Sequence, residues 1–495
     1  MTVSQRSCTG PAIITTAVVL LASSGVLFFV GVPYYIPERV KSETRLINGT
    51  KTWDKWSNIS VPIFLKYHFF NVTNPEAVIN HGAKFELQEV GPYVWQEKRT
   101  KEIISVDEEE DTVTFREIVR FYYRPDLSVG SLDDTINMVN LPLITAATKL
   151  YMAPGFTSWL GIQDTLMSEL IDHEGETIVS KGLKIRQLIF EGVPLKETYL
   201  TMGAASSLFK ETTPELKAGI FAFNYNKNGT PSKEYKIYRG VKDYKNFGKI
   251  VTYNNAKQVT CWTDHCNNID GTDGSIFPPF VTKDTLLKVY SPDVCSSVYL
   301  VFDKEDEYHG IPVYNFKAPN PDTYPDHLQC FCPDPGRNLN NKCYVAILRL
   351  FPCKNGAPVV VSKPHFLDSP AELQNGVVGL KPNRSRHDTK MIIQPTSGAV
   401  LFASKRVQIS VEYQTLPDIP GFENVNHTLV PIFWVEEYGG LEEDSLAEYR
   451  FLLVTSMQIV NIGQWIVFAG LTILLLLGIK LTCESRREKM IVRIT

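Results

Sequence analysis

Residues Ala12 to Val32 read AIITTAVVLLASSGVLFFVGV, an apolar stretch without a charged residue in 21 positions. A run of this length is long enough to cross the hydrocarbon core of a bilayer as a helix. A secretory signal peptide would have a shorter apolar core, of about 7 to 15 residues, followed by a small-residue cleavage site. Here the run leads into Pro33-Tyr34-Tyr35, and tyrosines are typical of a membrane interface. We therefore predict an uncleaved transmembrane helix over residues 12–32.

A second apolar run, Ile462 to Ile479, lies near the other end of the chain. Basic residues follow this run and acidic residues precede it. Because basic residues collect on the cytoplasmic side of a span, the tail 480–495 is predicted to be cytoplasmic. Two spans then place the tail 1–11 on the same side and residues 33–461 outside the cell or in a lumen.

Glycosylation motifs and cysteines agree with this topology. All six Asn-x-Ser/Thr sequons lie within residues 33–461, and they are Asn48, Asn58, Asn71, Asn228, Asn383 and Asn426. Seven of the nine cysteines lie between Cys261 and Cys353, whereas Cys8 and Cys483 lie beside the spans. This distribution predicts disulfides in an oxidising compartment and free thiols in the cytoplasm. Since six cysteines allow 15 connectivities, spacing alone leaves the pairing open.

Charge and motif content exclude several classes of function. The net charge of −4 gives no indication of nucleic-acid binding, and we predict no nucleic-acid partner. The chain lacks a Gly-x-Ser-x-Gly elbow, a His-Glu-x-x-His helix, a phosphate-binding glycine loop and a dinucleotide fingerprint. We therefore predict neither an enzyme nor a cofactor-dependent protein. Residues 33–461 contain no repeat or low-complexity linker that would divide them into two domains.

Alternating patterns predict strands over much of this domain. Val61 to Val72 is rich in apolar and aromatic residues, and an acidic turn at residues 107–111 separates the arms Glu102–Val106 and Thr112–Tyr123 of a hairpin. Met391 to Tyr413 contains a turn at residues 396–398 and then alternates strictly, which predicts a strand with one dry face.

Helical patterns occur at two places in the same domain. Pro37 to Thr50 is predicted to be a polar helix just outside the membrane. Residues 141–209 have a helical period, most clearly in an apolar stripe and in Leu183 to Phe190. The stripe consists of Trp159, Ile162, Leu166 and Leu170. Together these patterns predict an α+β fold, with a large antiparallel barrel or sheet stack and a helical cap.

Two motifs permit a weak metal hypothesis. Asp270-Gly271-Thr272-Asp273-Gly274 resembles part of a calcium loop but lacks the expected bidentate glutamate, so a tight turn is the better interpretation. His265-Cys266 with Cys330 and Cys332 offers zinc ligands, but thiols in an oxidising compartment form disulfides first. We predict no metal at either place.

The chain resembles the class B scavenger receptor family in motifs that occur in that family's order. They are Asn71-Val72-Thr73-Asn74-Pro75, Val90-Gly91-Pro92-Tyr93, His265-Cys266, Gly271-Thr272-Asp273-Gly274, Phe277-Pro278-Pro279-Phe280, Cys330-Phe331-Cys332, Pro364-His365-Phe366, Arg406-Val407-Gln408-Ile409 and Pro431-Ile432-Phe433-Trp434. The resemblance implies a barrel-like ectodomain crowned by a helical bundle, with an apolar tunnel that conducts lipid to the membrane.

Several residue assignments follow from the resemblance. It implies the disulfides Cys266–Cys330, Cys295–Cys353 and Cys332–Cys343, which leave Cys261 as the odd thiol. By position, Cys8 and Cys483 correspond to the palmitoylated membrane-edge cysteines of the family.

The cap departs from the pattern of family members that bind anionic lipoproteins. The stretch at residues 172–176 reads Asp-His-Glu-Gly-Glu, and like charges repel an anionic surface. Lys181, Lys184 and Arg186 follow it and are the candidate docking residues of the cap. The alternative interpretation is that they lie on solvated helix edges and bind no ligand.

The implied function is a plasma-membrane receptor that binds lipids or lipoproteins and transfers a fatty acid, sterol, carotenoid or lipid-derived odorant to the membrane, in one version to a neighbouring membrane receptor. The alternative is a phagocytic or lysosomal sorting receptor that binds protein partners through the cap. An acidic dileucine signal of correct spacing is missing from residues 484–491, which favours the cell surface over an endosomal or lysosomal membrane.

Overall fold

The computed structural model describes residues 3–151, 165–204, 218–319, 326–332, 342–344 and 346–416, the single residues 419 and 422, and residues 426–494. The chain divides into two compact units. One consists of Met1–Thr44, Glu307–Pro312 and Glu442–Thr495, and the other of Arg45–Asp306 and Val313–Leu441.

The first unit contains two long helical segments that are apolar enough to cross a membrane. The N-terminal segment consists of helix Val3–Val26, a π-helical turn Leu27–Gly31 and helix Val32–Glu43. The C-terminal segment consists of helix Glu443–Arg450, a π-helical turn Phe451–Thr455 and helix Ser456–Ile494. Both segments extend beyond the predicted apolar runs.

The two segments pack antiparallel through small residues. An added Cβ at Gly10 would lie 2.4 Å from Thr482 Oγ1, and one at Gly478 would lie 2.9 Å from Ile14. Further along, the ring of Phe29 stacks on that of Phe468 at 5.9 Å. Glycine at both positions therefore lets the helix backbones approach closely.

The second unit is built on a large antiparallel sheet. Its strands are β1 (Asn58–Val72), β2 (Leu87–Asp107), β3 (Thr112–Tyr123), β8 (Tyr235–Tyr238), β9 (Ile250–Tyr253), β10 (Leu287–Ser291), β11 (Ser296–Tyr308), β12 (Ile311–Lys317), β13 (Ile347–Arg349), β14 (Val359–Ser362), β15 (Lys390–Ile393), β16 (Val400–Tyr413) and β17 (Thr428–Gly440). Two short pairs lie outside it, β4 (Thr135–Val139) with β5 (Val179–Lys184), and β6 (Val193–Pro194) with β7 (Ile220–Phe221).

The sheet closes on itself into a barrel. The strand order is β10-β11-β12-β15-β16-β17-β1-β2-β3-β8-β9, and β13 and β14 attach through β16. Between the two ends of this series, the Ile250 N–H donates to Gly271 O, and Thr272 pairs with Val289 of β10. Gly271 has φ +90°, and an added Cβ would lie 2.2 Å from Lys288 O, so only glycine fits at this closure.

Helices and turns complete the second unit. Helix Lys51–Ser57 precedes β1, Pro75–His81 joins β1 to β2, and Leu141–Tyr151 and Glu197–Ala204 lie in the region predicted to be the cap. The cap also contains π-helical turns at Glu169–His173 and Gln187–Glu191. Short helices Ala371–Gln374 and Arg384–His387 follow β14.

The structure confirms the α+β class, the antiparallel sheet and the hairpin around the acidic turn, which is formed by β2 and β3. The predicted helix Pro37–Thr50 is too long, because the helix ends at Glu43 and a new helix begins at Lys51. The predicted helix Leu183–Phe190 is also wrong at its start, since Leu183 pairs with Ile136 in a strand and the helical residues are 185–191.

In the predicted apolar stripe, Leu170 is fully buried and Leu166 packs against the core. Trp159 and Ile162 lie outside the described residues.

The prediction of one dry face on β16 is incomplete. Val411 and Tyr413 are buried as expected, but Gln408, Ser410 and Glu412 on the other face of the strand are also buried. Gln408 accepts a hydrogen bond from the His365 backbone N–H at 2.6 Å, and Glu412 binds Arg349 at 2.8 Å. Neighbouring segments therefore cover the polar face and satisfy its hydrogen bonds.

Candidate functional site

The enclosed face of the barrel is a candidate site. Successive residues of a strand point to opposite faces, so Trp95, Glu97, Arg99 and Lys101 of β2 share one face. Lys101 Nζ lies 2.8 Å from Oδ2 of Asp273, which is beyond β3, β8 and β9 in the strand order. A side chain that reaches across so many strands lies inside the closed sheet, so this is the enclosed face.

One end of this face carries a cluster of aromatic rings, the first aromatic cluster. Its members are Tyr67, Phe69, Trp95, Phe223 and Phe433. The ring centroids of Tyr67 lie 5.6 Å from Trp95 and 5.5 Å from Phe433, and Phe223 lies 4.6 Å from Phe433. Such contacts bury large apolar surfaces and favour tilted or edge-to-face rings.

The other end carries the second aromatic cluster, formed by Trp56, Phe115, Tyr235, Tyr253 and Tyr290. Trp56 comes from the helix Lys51–Ser57 and meets the ring of Phe115 edge-on at 5.1 Å. The ring centroids of Tyr235 and Tyr253 are 4.7 Å apart, and those of Tyr253 and Tyr290 are 5.3 Å apart. A helix residue thus packs on the same face as the strand residues.

A band of charged side chains, the charged belt, separates the two clusters. Arg99 donates to Glu97 through Nε at 2.8 Å and to Glu437 through Nη2 at 2.7 Å. Lys405 lies 3.7 Å from Glu437, and Lys101 lies 3.8 Å from Glu117. The belt consists of Glu97, Arg99, Lys101, Glu117, Asp273, Lys405 and Glu437.

Burial and ion pairing act in opposite directions in this belt. Burial raises the pKa of the Glu97 carboxyl, and the neighbouring Arg99 acts against it. Burial also acts to raise the pKa of Glu437 and of Asp273. For Glu437 the charges of Arg99 and Lys405 prevail, and for Asp273 that of Lys101, so both pKa values lie below their ordinary values. Of these three carboxyls, Glu97 is therefore the one that takes up a proton most readily.

An irregularity in the pairing of β1 with β2 lies beside the belt. Ile59 pairs with Arg99 and Ile63 with Glu97, so four steps along β1 match two steps along β2 and β1 contains a bulge. A cavity of about 360 Å³ occupies this place, lined by Ile59, Pro62, Glu97 and Arg99 and by residues of the outer face such as Tyr122. The cavity contacts both faces of the wall.

The described residues do not show the uninterrupted apolar tunnel that the family resemblance implies. The enclosed face is apolar at its two ends and charged between them. None of the belt residues was predicted as a site residue. The available signal was the alternation of β2, where positions 97, 99 and 101 continue the face of Tyr93 and Trp95 with charged residues.

The predicted docking residues of the cap lie at its surface and are paired with acids. Lys181 bonds Glu76, Lys184 lies 3.3 Å from Asp133, and Arg186 bonds the same Asp133. The side chains of Lys181 and Lys184 are 46% and 49% exposed. Each cation is thus accessible but already has an acidic partner.

The acidic stretch of the cap serves partly as internal structure. Glu174 accepts a hydrogen bond from the Thr198 backbone N–H at 3.2 Å. Glu176 accepts from Asn140 and from the Tyr199 hydroxyl. These two carboxylates therefore hold the cap together in addition to any effect on ligands.

The structure joins the three cysteine pairs that the resemblance implies and leaves Cys261 as a free thiol. Cys483 is exposed, and Cys8 lies in the first helix. Five of the sequon asparagines are exposed, whereas Asn71 is half-buried and accepts from the Asn137 backbone N–H at 2.9 Å.

The two motifs that were considered as metal sites, and at which no metal was predicted, have other partners. Asp270 bonds Lys288 and Asp273 bonds Lys101, so the glycine-rich segment is a turn held by ion pairs. Cys266 and Cys330 are joined to each other and are not available as thiolate ligands.

A group of polar side chains on the outer face of the barrel was not predicted. Glu89 accepts hydrogen bonds from His68 Nδ1 at 3.0 Å and from His365 Nε2 at 2.6 Å, and His387 stacks on His365 at 4.4 Å. Burial lowers the pKa of His387 to about 4 and also lowers that of His68. Although burial acts to raise the pKa of Glu89, hydrogen bonds from His365 and His68 hold it well below its usual range.

The tautomers in this group disfavour a metal ion. Backbone N–H groups of Lys381 and Asn383 donate to Nδ1 of His365 and of His387, each at 3.0 Å. In the neutral rings, Nε2 therefore carries the proton and has no lone pair for a cation. The group is better described as a buried hydrogen-bond network.

Comparisons with known proteins agree with this architecture. A model of the CD36 family matches residues 15–482. Scavenger receptor class B member 1 of Bos taurus is 30% identical over 483 residues, which cover 95% of this chain and 88% of the relative. Sensory neuron membrane protein 1 of Manduca sexta is 32% identical over 458 residues, which cover 90% and 86%.

Lysosome membrane protein 2 of Homo sapiens is 29% identical over 443 residues, covering 88% of this chain and 87% of the relative. The match spans both apolar helices and the barrel between them. The chain is a membrane protein with two spans and belongs to the CD36 family.

Proposed function

We propose that this protein is a lipid receptor of the plasma membrane that binds amphipathic lipids inside the barrel and transfers them to the bilayer. The observation that carries the proposal is the enclosed face, where two aromatic clusters flank a charged belt. A lipid on this face would lay its hydrocarbon chain on the rings and its polar end on the belt. Each CH₂ group kept out of water contributes about 0.8 kcal/mol.

Incomplete burial of apolar residues on this face supports the proposal. Val435, which pairs with Tyr67, and Ile409 pack against the core but are only half-buried. Partly exposed aliphatic residues inside a closed sheet are expected where a ligand, rather than another side chain, completes the packing.

The relatives named above are a scavenger receptor, a sensory membrane protein and a lysosomal membrane protein, so the family supports a receptor at a membrane without fixing the compartment. We further propose that the tails 1–11 and 480–495 are cytoplasmic, that the six sequons carry glycans, and that Cys8 and Cys483 are palmitoylated. Lys181, Lys184 and Arg186 remain the proposed docking residues for lipoproteins at the cap.

The test is to purify the full-length glycosylated protein from cells fed deuterated oleate and cholesterol, and to extract bound lipid for mass spectrometry. The variant Val435→Trp places a large ring on the enclosed face and is expected to reduce bound lipid about tenfold or more. Glu102→Trp is the matched control, because Glu102 is an exposed residue on the opposite face of β2 and should leave lipid binding unchanged.

If the wild-type protein is folded, with its three disulfides intact, and yields no stoichiometric lipid, the proposal is wrong. Equal lipid content in both variants would place the lipid outside the barrel and would also contradict it.

A further inference from the structure

Three cysteine sulfurs lie together on one side of the barrel. The Sγ atoms of Cys261, Cys295 and Cys353 are all within 4.8 Å of one another. Cys295 and Cys353 form a disulfide, and Cys261 is a free thiol. A thiol is thus held beside a disulfide with which it can react.

Local hydrogen bonds hold the three residues in place. The indole N–H of Trp262, the residue after Cys261, donates to Cys295 O at 2.7 Å. Cys295 closes the turn between β10 and β11, and its N–H donates to Pro292 O. The Cys353 N–H donates to Leu350 O at 2.9 Å. All three cysteines are half-buried.

We propose that Cys261, Cys295 and Cys353 form a thiol–disulfide exchange site, in which Cys261 attacks the Cys295–Cys353 bond. The Cys261 thiol loses its proton, and its sulfur bonds to one sulfur of the pair. The other sulfur leaves as a thiolate and takes up a proton. One disulfide breaks as another forms, so the exchange needs no oxidant or reductant.

The exchange alters which segments are tied together. In the observed pairing, the turn between β10 and β11 is tied to the turn that follows Leu350. Attack on Cys353 ties that second turn to the loop of Cys261 and frees Cys295, whereas attack on Cys295 frees Cys353. Either product releases one surface turn and exposes a new thiol.

The environment of Cys261 makes the exchange slow at neutral pH. Burial raises the pKa of its thiol, with Lys354 acting to lower it, and Tyr290 is a further titratable neighbour. Only the thiolate attacks a disulfide, so the exchange is expected to accelerate as pH rises.

The test uses full-length protein in which Cys8 and Cys483 are replaced by serine, so that Cys261 is the thiol under study. The protein is kept folded at pH 8.5, and samples taken over several hours are labelled with iodoacetamide, acid-quenched and mapped without reduction. The label is expected first on Cys261, and later on Cys295 or Cys353 with a matching new disulfide to Cys261. If the label stays on Cys261 alone, the proposal is wrong.

Two controls separate exchange from unfolding. Cys261→Ser removes the nucleophile, so no label should enter Cys295 or Cys353 under the same conditions. In every sample Cys266, Cys330, Cys332 and Cys343 should remain unlabelled, because unfolding would scramble those pairs as well.

A Cys295→Ser variant tests whether the Cys261 sulfur can reach Cys353. In this variant Cys261 is expected to form a disulfide with Cys353 during biosynthesis. A folded Cys295→Ser protein with both thiols free would also contradict the proposal.

Discussion

Arg99 is the side chain on which the charged belt most depends. It donates to Glu97 and Glu437 at once, and the Glu97 side chain is only 2% exposed. A buried carboxylate that loses its cationic partner is left desolvated and unpaired, which costs far more than the ion pair itself contributes.

Replacing Arg99 with methionine is therefore expected to destabilise the protein by about 3 to 5 kcal/mol. Thermal unfolding in detergent should show a midpoint lowered by several degrees. The matched control is Lys405→Met, whose side chain is 47% exposed and lies 3.7 Å from Glu437, and which should cost about 1 kcal/mol or less. Equal effects of the two variants would contradict the central role of Arg99.

His387 makes the stability of the protein depend on pH. A histidine in an unfolded chain has a pKa of about 6.5, and burial lowers the pKa of His387 to about 4 in the fold. Between these values the unfolded chain binds more protons, so stability falls as pH decreases from about 6.5 to 4. The loss at pH 4 is up to about 3 kcal/mol from this residue.

The variant His387→Asn retains an acceptor for the Asn383 backbone N–H but cannot titrate in this range. Its unfolding midpoint should change less between pH 7 and pH 4.5 than that of the wild-type protein. His81→Asn, at an exposed position, should keep the wild-type pH dependence. An unchanged pH dependence in His387→Asn would contradict the assignment.

The sequence predicted which cysteines pair, but it did not predict which charged side chains are enclosed by the barrel. The cysteine pairing followed from the family resemblance, because spacing alone leaves 15 connectivities open for six cysteines. The belt did not follow, because Glu97, Arg99 and Lys101 in a strand read as solvent-facing residues. Only closure of the sheet reveals that their face is enclosed.

At the scale of elements, the closure at Gly271 decides whether the sheet is a barrel. Gly271→Ala would bring its Cβ against Lys288 O, and the residue would also have to keep φ +90°. The expected result is a protein that fails to fold and retains immature, endoglycosidase-sensitive glycans. Gly175→Ala is the control, since Gly175 has φ +72° but nothing within 4 Å of an added Cβ, and it should cost about 1 to 2 kcal/mol. Normal maturation of Gly271→Ala would show that the closure is dispensable.

Sequence periodicity alone does not predict which strand faces are buried or where a helix begins. Strand β16 was predicted from alternation, but the burial of Gln408 and Ser410 depends on segments nearly 50 residues earlier in the chain. The start of the predicted helix Leu183–Phe190 fails because pairing of β5 with β4 overrides a weak helical pattern.

At the scale of the whole molecule, the two spans were predictable because length and apolarity alone identify them.

The proposed topology, with both tails in the cytoplasm, can be tested separately. Epitope tags on residues 1–11 and 480–495 should be reached by antibody only after permeabilisation, and enzymatic removal of glycans should shift the mass of the intact protein. A new sequon inserted in the C-terminal tail is the control and should remain unmodified. Antibody binding to either tail on intact cells would refute the topology.

Amide hydrogen exchange should reveal a weak line along the barrel. Most neighbouring strands are joined by long ladders, such as β16 with β17, whereas within the described part of the chain β9 and β10 meet through the short segment at Gly271 and Thr272. The few amides that bridge this seam, those of Ile250, Thr272 and Tyr290, should therefore exchange before those of the long ladders. If β9 and β10 separate briefly at this seam, the barrel can widen for ligands of different width. The other strands would keep their register meanwhile.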